Sequence, residues 1–329
     1  MGIAVTGSIA TDHLATFPGR FADQIVAEQL ATISLSFLAD DLQVRRGGVA
    51  ANICFGLGLL GLAPVLVGAA GTDFADYDAR LQASGVDTKS VRLSATRHTA
   101  RFMCTTDDDH NQIATFYPGA MVEAEEIDLA EVVARVGALG LVLVAPDVPA
   151  AMVRHTRAAH AAGIPVAADP SQQLARLDRE SARLLVDGAR YLFTNTYESA
   201  LLRQLTGWDE AEVLARVGAW IVTRGADGVS ILTADGPAEH IPAVATDRPS
   251  DPTGVGDAFR AGFLAGLSRG LPRSRAAQLG CAVATIVLES VGTQEYELAP
   301  GDLEERLLRA YGPEAVAEIG AWPGRPAAG

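Results

Sequence analysis

The sequence predicts an α/β protein: a mostly parallel sheet covered by helices, with a small second β-sheet beside it. Three observations carry that expectation. Strand-like apolar runs alternate with helix-like stretches along most of the chain, the pattern of successive β–α–β units. Two segments, Leu14 to Arg46 and Arg97 to Tyr117, break that rhythm with period-two alternation and no helix between. Finally, 329 residues, 49% of them hydrophobic, are enough to bury a large core without cross-links.

Taken in order, Ile3 to Thr6 reads as the first core strand. Apolar, glycine-containing Asn52 to Leu60 reads as a helix, followed by a strand at Ala63 to Gly68. Further strands are expected at Leu141 to Ala145, Pro165 to Ala168, Tyr191 to Thr194 and Trp220 to Thr223, each after a helical stretch. Val229 to Leu232 and Ala238 to Ala243 look antiparallel and form one edge of the sheet, while Asp257 to Leu267 and Arg275 to Glu289 are two long apolar helices. In the insertions, Ile33-Ser34-Leu35-Ser36-Phe37 and Ala100-Arg101-Phe102-Met103-Cys104 alternate as strands, and Asp107 to Asn111 is a hairpin tip. The expected organisation is a core of residues 1–13, 46–96 and 118–322, a β lid of 14–45 and 97–117, and a flexible tail at 323–329.

Charge narrows the function. A net charge of −14 leaves no basic face for nucleic acid. No uncharged apolar stretch reaches the roughly 18 residues of a membrane helix, and the amino-terminal run reads as a strand rather than a leader. Three separated cysteines without a C-x-x-C pair indicate buried free thiols and a reduced, cytoplasmic setting. With a single lysine, Lys89, any phosphate must be met locally by backbone amides, a few arginines and a metal ion.

The stretch Asp251-Pro252-Thr253-Gly254-Val255-Gly256-Asp257 supplies such a site, because it runs directly into a helix. Its glycines allow a tight turn that gathers N–H groups, and the helix adds unpaired amides and the positive end of its dipole. Asp257 stands at the mouth, placed to accept a proton from an attacking hydroxyl, with a pKa expected to be low there.

Further motifs join it in register. Gly47-Gly48-x-x-x-Asn52 opens the first long helix, Asn195-Thr196-Tyr197-Glu198 follows the fifth core strand, and Thr223-Arg224-Gly225-Ala226-Asp227-Gly228 follows the sixth. Together with the loop at 251–257 they resemble the signatures of the PfkB, or ribokinase-like, sugar kinases over residues 3 to 295. The resemblance implies a three-layer α/β/α core with a small β-sheet lid. It implies Asp257 as general base and the amides of Gly254, Val255 and Gly256 as a hole for the migrating phosphoryl group. It also implies Asn195 and Glu198 organising Mg2+ through water, and Thr223, Gly225, Gly228 and Gly256 against ATP. Val255 departs from the small residue usual there; its side chain is expected to point away and leave activity intact.

On the acceptor side the resemblance places Asp12 on the vicinal hydroxyls of a sugar, with Gly48 and Asn52 completing the grip. Phe102 and Phe116 lie on two lid strands joined by a polar turn and are expected to approach a flat ring from both faces. Ser8, Ser36, Gln172 and Gln173 add groups that read purine edges. Within the family, Ser8 to Asp12 and Asp169 to Gln173 resemble the bacterial adenosine kinases, which implies adenosine and ATP as substrates. A monovalent cation such as K+ near Asp251 and Thr253 and a homodimer formed through the lid edge are further implications, while a sugar or another nucleoside stays open as acceptor.

Three patterns look functional and are read otherwise. Gly56-x-Gly58-x-x-Gly61 satisfies a dinucleotide fingerprint but falls late in a helix rather than between strand and helix. Lys89 lacks the glycine of a Walker A loop. His155 and His160, five residues apart, do not share a helix face as metal ligands would.

Overall fold

The computed structural model describes residues 2–25, 31–32, 34–299 and 301–322. Strands run β1 (Ile3–Thr6), β2 (Ala10–Thr16), β3 (Asp41–Gly47), β4 (Val65–Val67), β5 (Ala69–Ala70), β6 (Arg92–Leu93), β7 (Ala100–Thr106), β8 (Gln112–Tyr117), β9 (Leu141–Val144), β10 (Val166–Ala168), β11 (Tyr191–Asn195), β12 (Trp220–Thr223), β13 (Val229–Leu232) and β14 (Glu239–Ile241). Helices are α1 (Phe21–Gln24), α2 (Val49–Leu59), α3 (Ala75–Ala83), α4 (Leu129–Val136), α5 (Pro149–Ala161), α6 (Arg179–Val186), α7 (Thr196–Thr206), α8 (Glu210–Leu214), α9 (Val255–Ser268), α10 (Arg273–Leu288) and α11 (Asp302–Ile319).

The main sheet has the order β14-β13-β12-β11-β10-β9-β1-β4. Its pairs from β4 to β12 are parallel, and β13 and β14 close one edge antiparallel. β1 and β9 are buried at every position because helices cover both faces, which is why they read as unbroken apolar runs. One core layer packs α2, α9, α10 and α11 on one face; the other packs α4 to α8 on the opposite face. The glycines of the false fingerprint serve this packing. A Cβ on Gly58 would lie 2.2 Å from Ser84 O, so the glycine lets α2 press against the end of α3.

The second sheet has the order β3-β2-β7-β8. β2 follows β1 almost at once, so the lid strands start at Ala10, four residues ahead of the boundary expected from the alternation. Asp12 therefore stands on a lid strand, opposite Arg45 and Phe102, rather than on the core. The expected strand at Ile33 to Phe37 does not form: residues 34–39 have no regular structure, and Ile33 lies outside the described residues, as does the tail at 323–329. Its alternation has another cause. Phe37 packs on Phe17 and Phe21 at ring distances of 5.1 and 4.8 Å, so one side of this coil is half-buried without any ladder.

Candidate active site

β1 lies between β4 and β9, and within this sheet the chain goes from β1 outward to β4 but from β9 the other way to β10. That makes the carboxyl ends of β1 and β9 a switch point, where two loops diverge and open a crevice. Ser8 follows β1 and Pro146 follows β9, and the Ser8 amide donates to Pro146 O at 2.9 Å across the gap. Ser8 Oγ accepts from the Val49 amide at 3.1 Å, which satisfies a first-turn donor of α2. Gly48 precedes that helix with φ 93°, and a Cβ there would lie 2.6 Å from Ala10 N and Ser8 O, so only glycine fits the bend between lid and core.

A cavity of about 500 Å3 sits over this crevice, walled by Ser8, Asp12, Gly48, Asn52, Phe102 and Phe116, with Gln172 and Gln173 also in its lining. A second cavity of about 810 Å3 adjoins it and is walled by Asn195, Glu198, Thr223, Gly225, Gly228 and Gly256. Ser171 and Asp257 line both, so the two chambers meet at these residues.

At the junction, Gly254 adopts the left-handed conformation (φ 76°), and its missing Cβ would strike Thr293 at 2.9 Å. Ala258 makes the first bond of α9, donating to Gly254 O at 2.9 Å, so the amides of Gly256 and Asp257 precede the helical ladder and have no partner among the described residues, which leaves them for an anion. Val255 packs partly against the main core and partly lines the second cavity, and its amide donates to Pro252 O at 3.4 Å. Asn52 Nδ2 donates to Asp257 Oδ2 at 2.8 Å. The expectation of a low Asp257 pKa is corrected: burial pushes the carboxyl up to about 7, against the hydrogen bond from Asn52 and the nearby Arg260, which pull it down. Asp12 is raised to about 6, chiefly by burial, with Arg45 opposing and Asp251 adding to the shift.

On the other chamber's wall, Asn195 and Glu198 form a reciprocal cap on α7: Asn195 Oδ1 accepts from the Glu198 amide and Glu198 Oε2 from the Asn195 amide, both at 2.8 Å. Glu198 Oε1 points instead toward Ser171 Oγ, 3.4 Å away. Among the described residues no group of three or more His, Cys, Asp or Glu side chains forms a metal cage. A carboxylate on the wall of a nucleotide-sized chamber nevertheless fits Mg2+, which keeps several waters and takes its other ligands from the nucleotide.

Two expectations change on the acceptor side. Phe102 and Phe116 are directly paired across β7 and β8, so their rings leave the same face of the lid and form one platform rather than two jaws. Ser36 is exposed in the coil at 34–39, which the aromatic cluster holds at the far end of β2, and it lines neither cavity. Sequence reasoning also missed Arg260, which forks onto Asp169 with its nitrogens at 2.5 and 2.6 Å and donates to Gly256 O at 3.0 Å. A charge inside the apolar stretch Ala258 to Leu264 was the available signal. Arg176 and Met121, on the acceptor wall, had none.

A glycine-turned helix start, with a carboxylate between an acceptor chamber and a nucleotide-sized chamber, is the plan of a small-molecule kinase. The chain belongs to the pfkB family of carbohydrate kinases, whose model matches residues 20–299. Among solved structures it is similar to the nucleoside kinase of Burkholderia thailandensis in complex with inosine, at 37% identity and TM-score 0.81 over 95% of this chain and 99% of that one. It is 32% identical over 275 residues to a nucleoside kinase of Methanothermobacter thermautotrophicus, covering 82% of this chain and 86% of that protein. An ATP-dependent ribose-1-phosphate kinase of Halopiger xanaduensis is 34% identical over 229 residues, covering 67% of this chain and 72% of the relative.

Proposed function

We propose that the protein phosphorylates the 5′-hydroxyl of adenosine with ATP to give AMP, a reaction of purine salvage in the cytoplasm. The observation that carries this reading is Asp257, shared by both chambers beside free helix amides. Asp257 takes the hydroxyl proton as the oxygen attacks the γ-phosphorus and ADP departs. A carboxyl titrating near 7 is suited to that exchange at neutral pH. The amides of Gly254, Gly256 and Asp257 neutralise charge on the transferring group, whereas the Val255 amide, expected to share that task, is turned to Pro252 O at 3.4 Å. Asp12, with Gly48 and Asn52, holds the ribose diol. The Phe102–Phe116 platform carries the base, whose edges Ser8, Gln172 and Gln173 read. Thr223, Gly225 and Gly228 receive the nucleotide, and Mg2+ held near Asn195 and Glu198 would supply charge neutralisation between its phosphates.

A homodimer is supported by the lid. Leu42, Val44, Met103 and Ile113 are all exposed, and the register sets them on the sheet face turned away from Phe102. K+ is proposed near Asp251, whose carboxylate accepts from the amides of Thr253 and Gly292 at 2.9 and 3.0 Å.

A second reading, inosine or another 6-oxopurine nucleoside, is favoured by Arg176 on the same wall, since a guanidinium pairs well with a purine O6 and N7. Phosphate transfer measured against adenosine, inosine, guanosine, cytidine, ribose and fructose separates these. Adenosine is expected to have the highest kcat/KM. Preference for free ribose would overturn the nucleoside reading, and preference for inosine would move the assignment within it.

A further inference from the structure

A directed chain of buried hydrogen bonds runs from the root of the lid to Asp257, and it passes through two residues outside the family motifs quoted above. Tyr77 Oη donates to Gly47 O at 2.8 Å. Its lone pair is then the only side left for a partner, and Gln294 Nε2 donates to it at 2.5 Å. The second proton of the same Gln294 nitrogen goes to Asn52 Oδ1 at 2.8 Å. Asn52 in turn donates from Nδ2 to Asp257 Oδ2 at 2.8 Å. Gln294 and Tyr77 are buried, as is Asn52, so none of these groups exchanges its partner for bulk water at little cost.

The orientation of the Asn52 amide decides what Asp257 experiences. Thr293 Oγ1 also lies 3.0 Å from Asn52 Oδ1, but its single proton is shared with Arg46 O at 2.9 Å. Gln294 is therefore the donor that serves Asn52 Oδ1 at all times. With that oxygen occupied, the amino end must face the carboxylate. A flipped amide would set a carbonyl oxygen against Asp257 Oδ2 and an N–H2 group against the Gln294 amine. The loop carrying Gln294 is itself pinned, because Arg80 donates to Gln294 O at 2.6 Å.

We propose that Gln294, seconded by Thr293, is a positioning residue for phosphoryl transfer: it locks the Asn52 amide so that Asp257 presents Oδ1 to the acceptor hydroxyl, and it ties that geometry to the Gly47–Gly48 bend under the lid. The inference rests on Asp257 being the base. Asp257 Oδ1 has no protein hydrogen bond among the described residues, which leaves it for the substrate, while Oδ2 is held by Asn52. Because Tyr77 grips Gly47 O and Thr293 grips Arg46 O, the end of lid strand β3 and the base share one network.

The test is a double-mutant cycle in the full chain. Gln294→Leu keeps the volume and removes both donors; Thr293→Val removes the hydroxyl at nearly constant shape. Each is made alone and on Asn52→Ala, with kcat, KM for ATP and thermal midpoint measured on the same preparations. The expected result is a fall in kcat of about 10- to 100-fold for Gln294→Leu, the scale of a base moved out of line, with KM for ATP within about twofold. Thr293→Val is expected to lose about threefold, as a part-time donor should. On Asn52→Ala neither change should cost anything further, because the amide they orient is gone. Losses that multiply on Asn52→Ala, or that appear only in the thermal midpoint or in KM for ATP, overturn the proposal. Should Gln294→Leu fail to fold, Thr293→Val carries the same cycle alone. Asp257→Asn, assayed alongside, separates the two failures. Full activity there removes the base reading itself; collapse there with an additive cycle removes only the role of Gln294.

Discussion

Replacing Asp257 by Asn is expected to make the protein more stable and nearly inactive at once. The carboxyl is held near 7 instead of its ordinary 3.8, because burial outweighs the donation from Asn52 and the charge of Arg260. The sign follows from proton counting. Between about pH 4 and 7 the folded protein binds a proton at Asp257 that the unfolded chain does not, so this group's contribution to stability falls as pH rises through that window. Above pH 7 the folded enzyme carries a half-buried carboxylate at a full cost of about 4 kcal/mol, which cleft water and local relaxation reduce to about 2–4 kcal/mol. Asn is neutral at every pH and still accepts from Asn52. Asp257→Asn should therefore melt about 3–6 °C higher than the parent at pH 8, with the gain shrinking toward pH 5. Turnover should fall by roughly 10²–10⁴-fold, the usual worth of a positioned base. Thermal melts from pH 5 to 8.5 and an ADP-release assay read both effects. A variant no more stable than the parent at pH 8, or one whose advantage ignores pH, would show that the carboxyl is not strained by burial. Undiminished turnover would show that it is not the base.

Three other changes probe separate parts of the site. Phe116→Ala removes half of the aromatic platform and should raise KM for the nucleoside by about 5- to 100-fold, equivalent to ~1–3 kcal/mol of stacking, with KM for ATP unchanged; steady-state kinetics with each substrate varied decides it. Arg260→Met leaves Asp169 buried beneath the anion loop without its fork and should lower unfolding free energy by about 3–5 kcal/mol in urea titrations at pH 8. Gly48→Ala forces a Cβ to 2.6 Å from backbone in a left-handed bend, so a loss of more than about 2 kcal/mol is expected, with kcat/KM falling in step as Asn52 and the lid shift.

How much of this was legible in the sequence differs by kind of information. The glycine-turned start of α9 and the Gly47–Gly48 bend are local: each rests on glycines whose meaning depends on their immediate neighbours. The reciprocal cap of Asn195 and Glu198 is equally local, yet the sequence reading placed the pair on Mg2+ by resemblance and did not see it. Facing relations were not local. That Phe102 and Phe116 share a face depends on the β7–β8 register, which a one-residue slip would invert. The coil at 34–39 alternates like a strand because Phe37 seeks an aromatic cluster, and periodicity cannot distinguish that from a ladder. The raised Asp257 pKa was hidden for a similar reason. A helix start argues for a low value, and only the surrounding protein, invisible in the chain order, shows that burial prevails. Gln294 had no signal at all, since its partners Tyr77 and Asn52 lie 217 and 242 positions earlier.

That separation bears on how the molecule is made. α2 is buried along almost its whole length, largely beneath α9, yet α9 leaves the ribosome some two hundred residues later. Throughout that interval β1, β4 and α3 can cover only part of the rod, and the side meant for α9 stays bare, an invitation to chaperones or to clumping. The same delay is a safeguard. Asn52 meets Asp257 only when the late helix docks, so a chain halted before α9 lacks the carboxylate proposed as base and the pairing that orients it.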